Sequence, residues 1–193
     1  LGTKVVYVTM LRRTHFGNEH SMVRWVRGPG GSLTPDFSIA ERYLDLALKH
    51  LGKVPTVALY CWEPLHGDST THASYEIGKR ERDILISILD PKTGRLEEGQ
   101  GPRWGTPACR AFWKQAFGGM QRILRKRGIE DSAMIGIFAD FPPSEETAGD
   151  LIAAALLHDL GKCQAAFTPW HRSLIVILDT YAPWGLQWLA KYE

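Results

Sequence analysis

The sequence predicts an α/β chain of the TIM-type (β/α) barrel class, incomplete or trimmed within its 193 residues. Three observations lead there. Short β-branched apolar runs alternate with amphipathic helical stretches for much of the chain, as in a parallel sheet with helical crossovers. Most strand candidates end on a polar or aromatic group: Trp62-Glu63, Asp90, Asp140, Trp170-His171 and Asp179. In a (β/α) barrel such ends converge on one rim, where ligands bind. The rhythm is also short: a full barrel takes about eight strands in about 250 residues. Here no clear helix separates the second and third strands, and the last two lie too close for a crossover of about a dozen residues.

Val5 to Met10 is the first strand, rich in β-branched residues. Arg12 to Pro35 reads as a long polar loop holding His15, Asn18, Glu19, His20 and Trp25, of a length usually functional or disordered. Ser38 and Glu41 form a capping box for a helix whose apolar face is Phe37, Tyr43, Leu44, Ala47, Leu48 and Leu51, closed by Gly52. Thr56 to Trp62 is a second strand, His66 to Arg82 is polar and irregular, and Ile84 to Leu89 is a third strand. Asp90 before Pro91-Lys92-Thr93-Gly94 has the look of a turn acid, and a loop with Trp104 runs on to Gly105.

Thr106 as N-cap and Pro107 in the first turn start the next helix, with Phe112, Ala116, Met120, Ile123 and Leu124 on its apolar face and Gly128 at its end. Gly118-Gly119 weakens its middle. Arg122, Arg125, Lys126 and Arg127 read as a solvated last turn that complements the helix dipole. The stretch Ala133 to Asp140 then organises the chain. Met134 to Phe138 is an uncharged apolar run that fits a strand covered on both faces, and Asp140 stands where it stops. Pro142 and Pro143 end ladder pairing. Ser144, with Glu145 and Glu146 in the first turn, starts a helix running to His158 and closed by Gly161. Cys163 to Phe167 and Leu174 to Leu178 are the last strand candidates, and a Trp-rich helix from about Gly185 finishes the chain.

Composition narrows the function classes. A chain 44% hydrophobic and 23% charged has an ordinary globular balance and reads as one domain over residues 1–193. A net charge of +2 gives no footprint for a nucleic-acid partner. No apolar run approaches the roughly 20 residues of a membrane span, so no membrane partner is expected. Cys61, Cys109 and Cys163 are widely spaced, which indicates neither a disulfide framework nor a thiolate metal cage; no metal and no cofactor is expected. No signal peptide is visible. The start at Leu1, without Met and almost directly into a strand, fits a piece of a longer protein and leaves the compartment open. The oligomeric state is not written in the sequence.

A rim of carboxylates flanked by tryptophans suits carbohydrate. An indole face stacks on the C–H face of a sugar while acids bind hydroxyls or move protons. Seven tryptophans is high for this length. Asp140 and Glu63 are the catalytic candidates, and Trp62, Trp104, Trp170, His171 and Asp179 the substrate-binding ones. Trp113, Trp184 and Trp188 fall on helices and are assigned to the core.

The runs Gly17-Asn18-Glu19-His20-Ser21-Met22-Val23-Arg24-Trp25-Val26-Arg27, Asp36-Phe37-Ser38 and Arg42-Tyr43-Leu44-Asp45 resemble the glycoside hydrolase family 123-like catalytic domain, especially its bacterial members. Leu89 to Gly94, Gly105-Thr106-Pro107, Phe112-Trp113-Lys114, Lys126-Arg127-Gly128 and Ala139-Asp140 with Pro143 to Thr147 continue the resemblance, which covers about Val5 to Asp150. It implies a TIM-type barrel and hydrolysis of β-linked N-acetylgalactosamine, in which the substrate's own acetamido oxygen attacks the anomeric carbon. An Asp steadies that group and an adjacent Glu is the general acid. Asp140 matches the Asp, and Phe141 stands in place of the Glu. The resemblance also favours a secreted or periplasmic location.

Two alternatives remain. One is a non-catalytic carbohydrate-binding barrel that kept the rim and lost the acid. The other rests on Ala154-Ala155-Leu156-Leu157-His158-Asp159, which resembles the His-Asp motif of HD-type metal-dependent phosphohydrolases. That fold is all-helical and needs another histidine about one helix upstream, yet none lies between His72 and His158.

Overall fold

A computed structural model of the chain describes residues 5–14, 16–62, 84–135, 147, 149–151 and 154. Strand β1 (Val5–Thr9) leads into a hairpin, β2 (Arg24–Arg27) and β3 (Leu33–Asp36), and then helix α1 (Ser38–Leu51). Strand β4 (Thr56–Tyr60) follows, then a second hairpin, β5 (Leu85–Leu89) and β6 (Leu96–Gln100), helix α2 (Pro107–Lys126) and strand β7 (Ala133–Ile135). Residues 147, 149–151 and 154 are helical.

The strands form two small sheets. The first has the order β1-β4-β7 and is wholly parallel, with Val5 beside Thr56, Thr9 beside Tyr60 and Leu59 beside Ile135. The second has the order β3-β2-β5-β6: both hairpins are antiparallel, and β2 joins β5 in parallel. The TIM-type barrel expectation is therefore corrected. No barrel closes among the described residues. The strand expected at Ile84 to Leu89 does form, as β5, but it pairs with β2 and β6 instead of extending the parallel sheet. Alternation of strand and helix gives the direction of a connection and leaves open which sheet a strand joins.

Each hairpin interrupts a β-to-α connection of the parallel sheet. The Gly28–Ser32 turn, with Gly30 and Gly31 at positive φ, lets Arg24–Arg27 fold back on Leu33–Asp36 inside the stretch expected to be loop. Pro35 is accommodated there because β3 is an edge strand. In the second hairpin Asp90 is the turn acid expected: its carboxylate accepts from the Lys92 N–H at 2.8 Å and the Thr93 hydroxyl at 2.7 Å, and Gly94 takes φ 72°. The Thr93 hydroxyl first, then the Lys92 amide, hold the Asp90 carboxyl below the usual range.

One face of the parallel sheet, carrying Val6, Val8, Val57, Leu59, Ala133 and Ile135, lies in the core with Ala40 and Leu44 of α1 and Ile123 and Leu124 of α2. The second sheet packs on the first half of α2 through aromatic rings. Trp25 stacks on Phe112 at 3.8 Å between centroids, and Trp113 stacks on Phe117 and on Trp104. Burial of each such large apolar side chain stabilises the fold by about 1.5–3 kcal/mol.

The ends of α2 follow its sequence. The Thr106 hydroxyl accepts the Cys109 N–H at 3.2 Å, Pro107 opens the first turn, and Gly128 at φ 65° closes the last. The Gly119 backbone lies against the Phe37 ring, so a methyl group there would run into it. Two expectations at helix ends are revised. Ser38 and Glu41 do not form a capping box. The Ser38 hydroxyl instead accepts from Arg24 and donates to Asp36, and Asp36 accepts the Ser38 N–H. The cross-strand Arg24–Asp36 pair places that carboxylate there. Arg127, expected in a solvated turn, is 10% exposed in its side chain; it donates to the Asp45 carboxylate at 2.7 and 3.0 Å and to the carbonyls of Ile123 and Glu41, clamping α1 to α2. Among the described residues no helix is long and apolar enough to cross a membrane.

Candidate functional site

Because β1, β4 and β7 are parallel, the chain leaves all three at the same edge of the sheet, where ligand groups collect in α/β folds. At that edge Cys61 lies with its thiol 3.5 Å from the Met10 sulfur, and Trp62 follows, 2% exposed. The Trp62 indole Nε1 has no hydrogen-bond partner.

The segment after β1 is tied down at every turn. The Arg12 N–H donates to the Leu85 carbonyl at 3.0 Å, and the Met22 N–H to the Thr9 carbonyl at 2.8 Å, stitching the two sheets together. The Arg12 side chain is 3% exposed and donates to the Glu98 carboxylate at 2.6 Å and the Glu19 carbonyl at 3.1 Å. Arg13 reaches the same Glu98 oxygen at 2.8 Å. The Arg12 guanidinium first, with Arg13 beside it, holds the Glu98 carboxyl below its usual range.

Asn18 is the centre of this loop. Its amide nitrogen donates to the carbonyls of Leu11 at 2.8 Å and His20 at 3.0 Å, and its oxygen accepts from the N–H and the hydroxyl of buried Thr14. The Arg13 N–H donates to the Asn18 carbonyl at 2.7 Å, and Arg13 is held at φ 52°, the left-handed region. Beyond Asn18, Ser21 and Ser87 exchange N–H to hydroxyl bonds at 3.1 and 3.3 Å, and His20 Nδ1 lies 3.4 Å from the Ser87 hydroxyl. Ser87 is fully buried in β5, so these contacts fasten the loop after β1 to the second sheet and offer no nucleophile to solvent.

Of the residues named from the sequence, Trp62 stands at the C-terminal edge, buried. Trp104 is 5% exposed, stacked on Trp113 at 5.6 Å, within the core rather than on a rim. Glu63, Asp140, Phe141, His158, Asp159, Trp170, His171 and Asp179 lie outside the described residues. Among the described residues no group of three or more His, Cys, Asp and Glu side chains could hold a metal ion.

Sequence reasoning passed over two buried groups. Asp150 accepts the Gly105 N–H at 2.6 Å and an Arg110 N–H at 3.0 Å, locking the later helix to the start of α2. Burial, and then this carboxylate, push the Cys109 thiol far above its usual range, which makes it an inert core residue.

No protein-family model matches the chain, and no curated protein does. Among solved structures it is similar to a family 123 glycoside hydrolase from Clostridium perfringens, described for glycolipid glycan hydrolysis, with a TM-score of 0.54 and 14% identity. The match covers 80% of this chain and 25% of that one, so the chain spans about a quarter of the length of that enzyme. At this identity the likeness is one of fold.

Proposed function

We propose that this chain is a carbohydrate-active α/β domain whose ligand, a β-linked N-acetylhexosaminide, is held at the C-terminal edge of the β1-β4-β7 sheet. The supporting observation is the shared backbone arrangement with a family 123 glycoside hydrolase over 80% of the chain. In this reading Asp140, five residues beyond β7, receives the acetamido N–H and strengthens that contact as the acetamido oxygen attacks the anomeric carbon. Glu63 follows directly on Trp62 in the sequence, three residues beyond β4, the strand paired with β7, and is the second carboxylate in this reading. In this reading Trp170, His171 and Asp179 are further contacts to the sugar, while Trp62, 2% exposed and in the buried cluster, supports the site from within. Trp104 belongs to the core stack and is not a sugar contact.

Phe141 occupies the position of the general acid, so poor leaving groups are cleaved slowly or not at all, whereas an activated aryl glycoside, which needs little protonation, is cleaved. The same residue supports a second reading, a binding module that retains the sugar and performs no hydrolysis. An assay of wild type and Asp140→Asn on an aryl N-acetyl-β-hexosaminide separates them. Loss of one preorganised electrostatic group should lower turnover by about 10²-fold or more, with little change in binding. Equal rates for the two proteins would remove Asp140 from the mechanism. No turnover with binding intact selects the module, and neither turnover nor binding overturns the carbohydrate reading.

A further inference from the structure

We propose that the outer face of α1 is a docking surface for an anionic phospholipid bilayer. Among the described residues, Ile39, Leu46 and Leu51 of α1 are three of the four large apolar side chains left exposed. The helix gives little of itself to the core: only Ala40 and Leu44 are buried. Helical spacing sorts its other side chains. Its two acids, Glu41 and Asp45, stand on the flank toward α2, where Arg127 pairs with both. Ile39, Arg42, Leu46 and Lys49, three or four residues apart, follow one line on the side away from Ala40 and Leu44. All four are exposed, Ile39 by 36% and Leu46 by 53%. That line carries two cations and no acid.

The cations of this face differ from their neighbours. Arg125 and Arg127 pair with Glu130 and Asp45, whereas Arg42, Lys49 and Arg122 have no ion-pair partner among the described residues. Arg122 and Lys126 line a groove of about 440 Å³ between α2 and the start of α1. Asp36 and Glu41 also line it, each already beside an arginine, Arg24 and Arg127. An anionic head group entering the groove therefore meets in Arg122 a cation with no carboxylate of its own. Helix α2 adds no acid over its whole length. A net charge of only +2 conceals this asymmetry. The alternation of apolar and basic residues along one line decides between partners. A protein groove that receives a helix takes apolar anchors at each of the positions i, i+3 or i+4 and i+7. A bilayer interface offers phosphates and the acyl boundary side by side, so cations and short apolar side chains are both satisfied at every step. The lack of a spanning run bears on crossing a membrane, not on lying against one.

The test is flotation of the full chain with phosphatidylcholine vesicles, with and without phosphatidylserine, over a range of salt. Wild type should float only where phosphatidylserine is present and should be released as salt rises. Arg42→Gln with Lys49→Gln should weaken that binding by about 10-fold or more, and Leu46→Gln by about 3- to 10-fold. Lys92→Gln with Arg95→Gln removes the same charge from the exposed turn of the second sheet and should bind as wild type does. Every substituted side chain is exposed, so thermal melts should agree with wild type. Equal losses in the two double variants would show that net charge alone attracts the vesicle, and would overturn the docking face. Undiminished binding in Leu46→Gln would show a purely electrostatic polyanion site and overturn the bilayer as partner. A wild type that floats with neither vesicle overturns the proposal and leaves α1 to an acidic protein surface. None of these outcomes depends on sugar binding.

Discussion

Replacing Asn18 by alanine removes four hydrogen bonds at once, because its amide donates to Leu11 and His20 and accepts twice from Thr14. Thr14 is buried, so its N–H and hydroxyl lose their partner without gaining water, at about 1–3 kcal/mol. The carbonyls of Leu11 and His20 lose one bond each, at about 0.5 kcal/mol apiece when water substitutes in part. The sum is about 2–4 kcal/mol. For a chain of this size that lowers Tm by roughly 4–16 °C, unless the loop opens locally first, in which case the loss appears as faster amide exchange from residues 11 to 21. Calorimetry with hydrogen exchange measures both. Asn18→Asp sharpens the test. It keeps the acceptor side and turns a carboxylate on two carbonyl oxygens, which raises the pKa of the introduced acid. A raised folded-state pKa stabilises below the unfolded value and is lost as pH rises, so this variant should gain stability on acidification relative to wild type. An unchanged Tm with unchanged exchange in Asn18→Ala would show that the loop is held by something other than this side chain.

Gly119→Ala would ordinarily gain about 0.5–1 kcal/mol in a helix interior, but the added methyl meets the Phe37 ring. The expected result is a net loss of about 1–2 kcal/mol in urea unfolding, which changes sign to a gain when Phe37→Ala is present. Acid should destabilise the protein through Asp45, Asp90 and Glu98, whose carboxyls are held below the usual range by Arg127, by Thr93 and by Arg12 respectively. A depressed folded-state pKa stabilises above the unfolded value and is lost as pH falls through the folded one. Tm should therefore change little through these groups around neutrality and fall below the ordinary carboxylate range, less steeply in Glu98→Gln. A parallel acid limb in that variant would take Glu98 out of the account.

Much of the frame was legible in the sequence because local chemistry decides it. Thr106, Pro107 and Gly128 bracket α2, Asp90 to Gly94 make a turn, and β-branched runs mark β1, β4 and β5. What was not legible depends on partners distant in sequence. β6 reads Leu-Glu-Glu-Gly-Gln, with no apolar alternation, and becomes a strand because β5 offers its edge. The β2–β3 hairpin lies in a polar stretch whose one deeply buried ring, Trp25, is explained only by Phe112. Arg127 and Ser38 were misjudged because their partners come from β3, α1 and the β2 strand. At the site, residue type pointed to aromatic groups but could not say which were covered. Trp104 looked like a rim residue and is stacked in the core.

The two hairpins have a consequence for how such a chain can change. Each is an excursion in a different connection, yet they share one sheet because β2 lies beside β5. Excising either alone would leave the other with a bare strand edge open to pairing with a neighbouring molecule. Excising both would leave an uninterrupted alternation of strand and helix. In a lineage or in a laboratory redesign, the two excursions should therefore be gained, trimmed or lost as a pair.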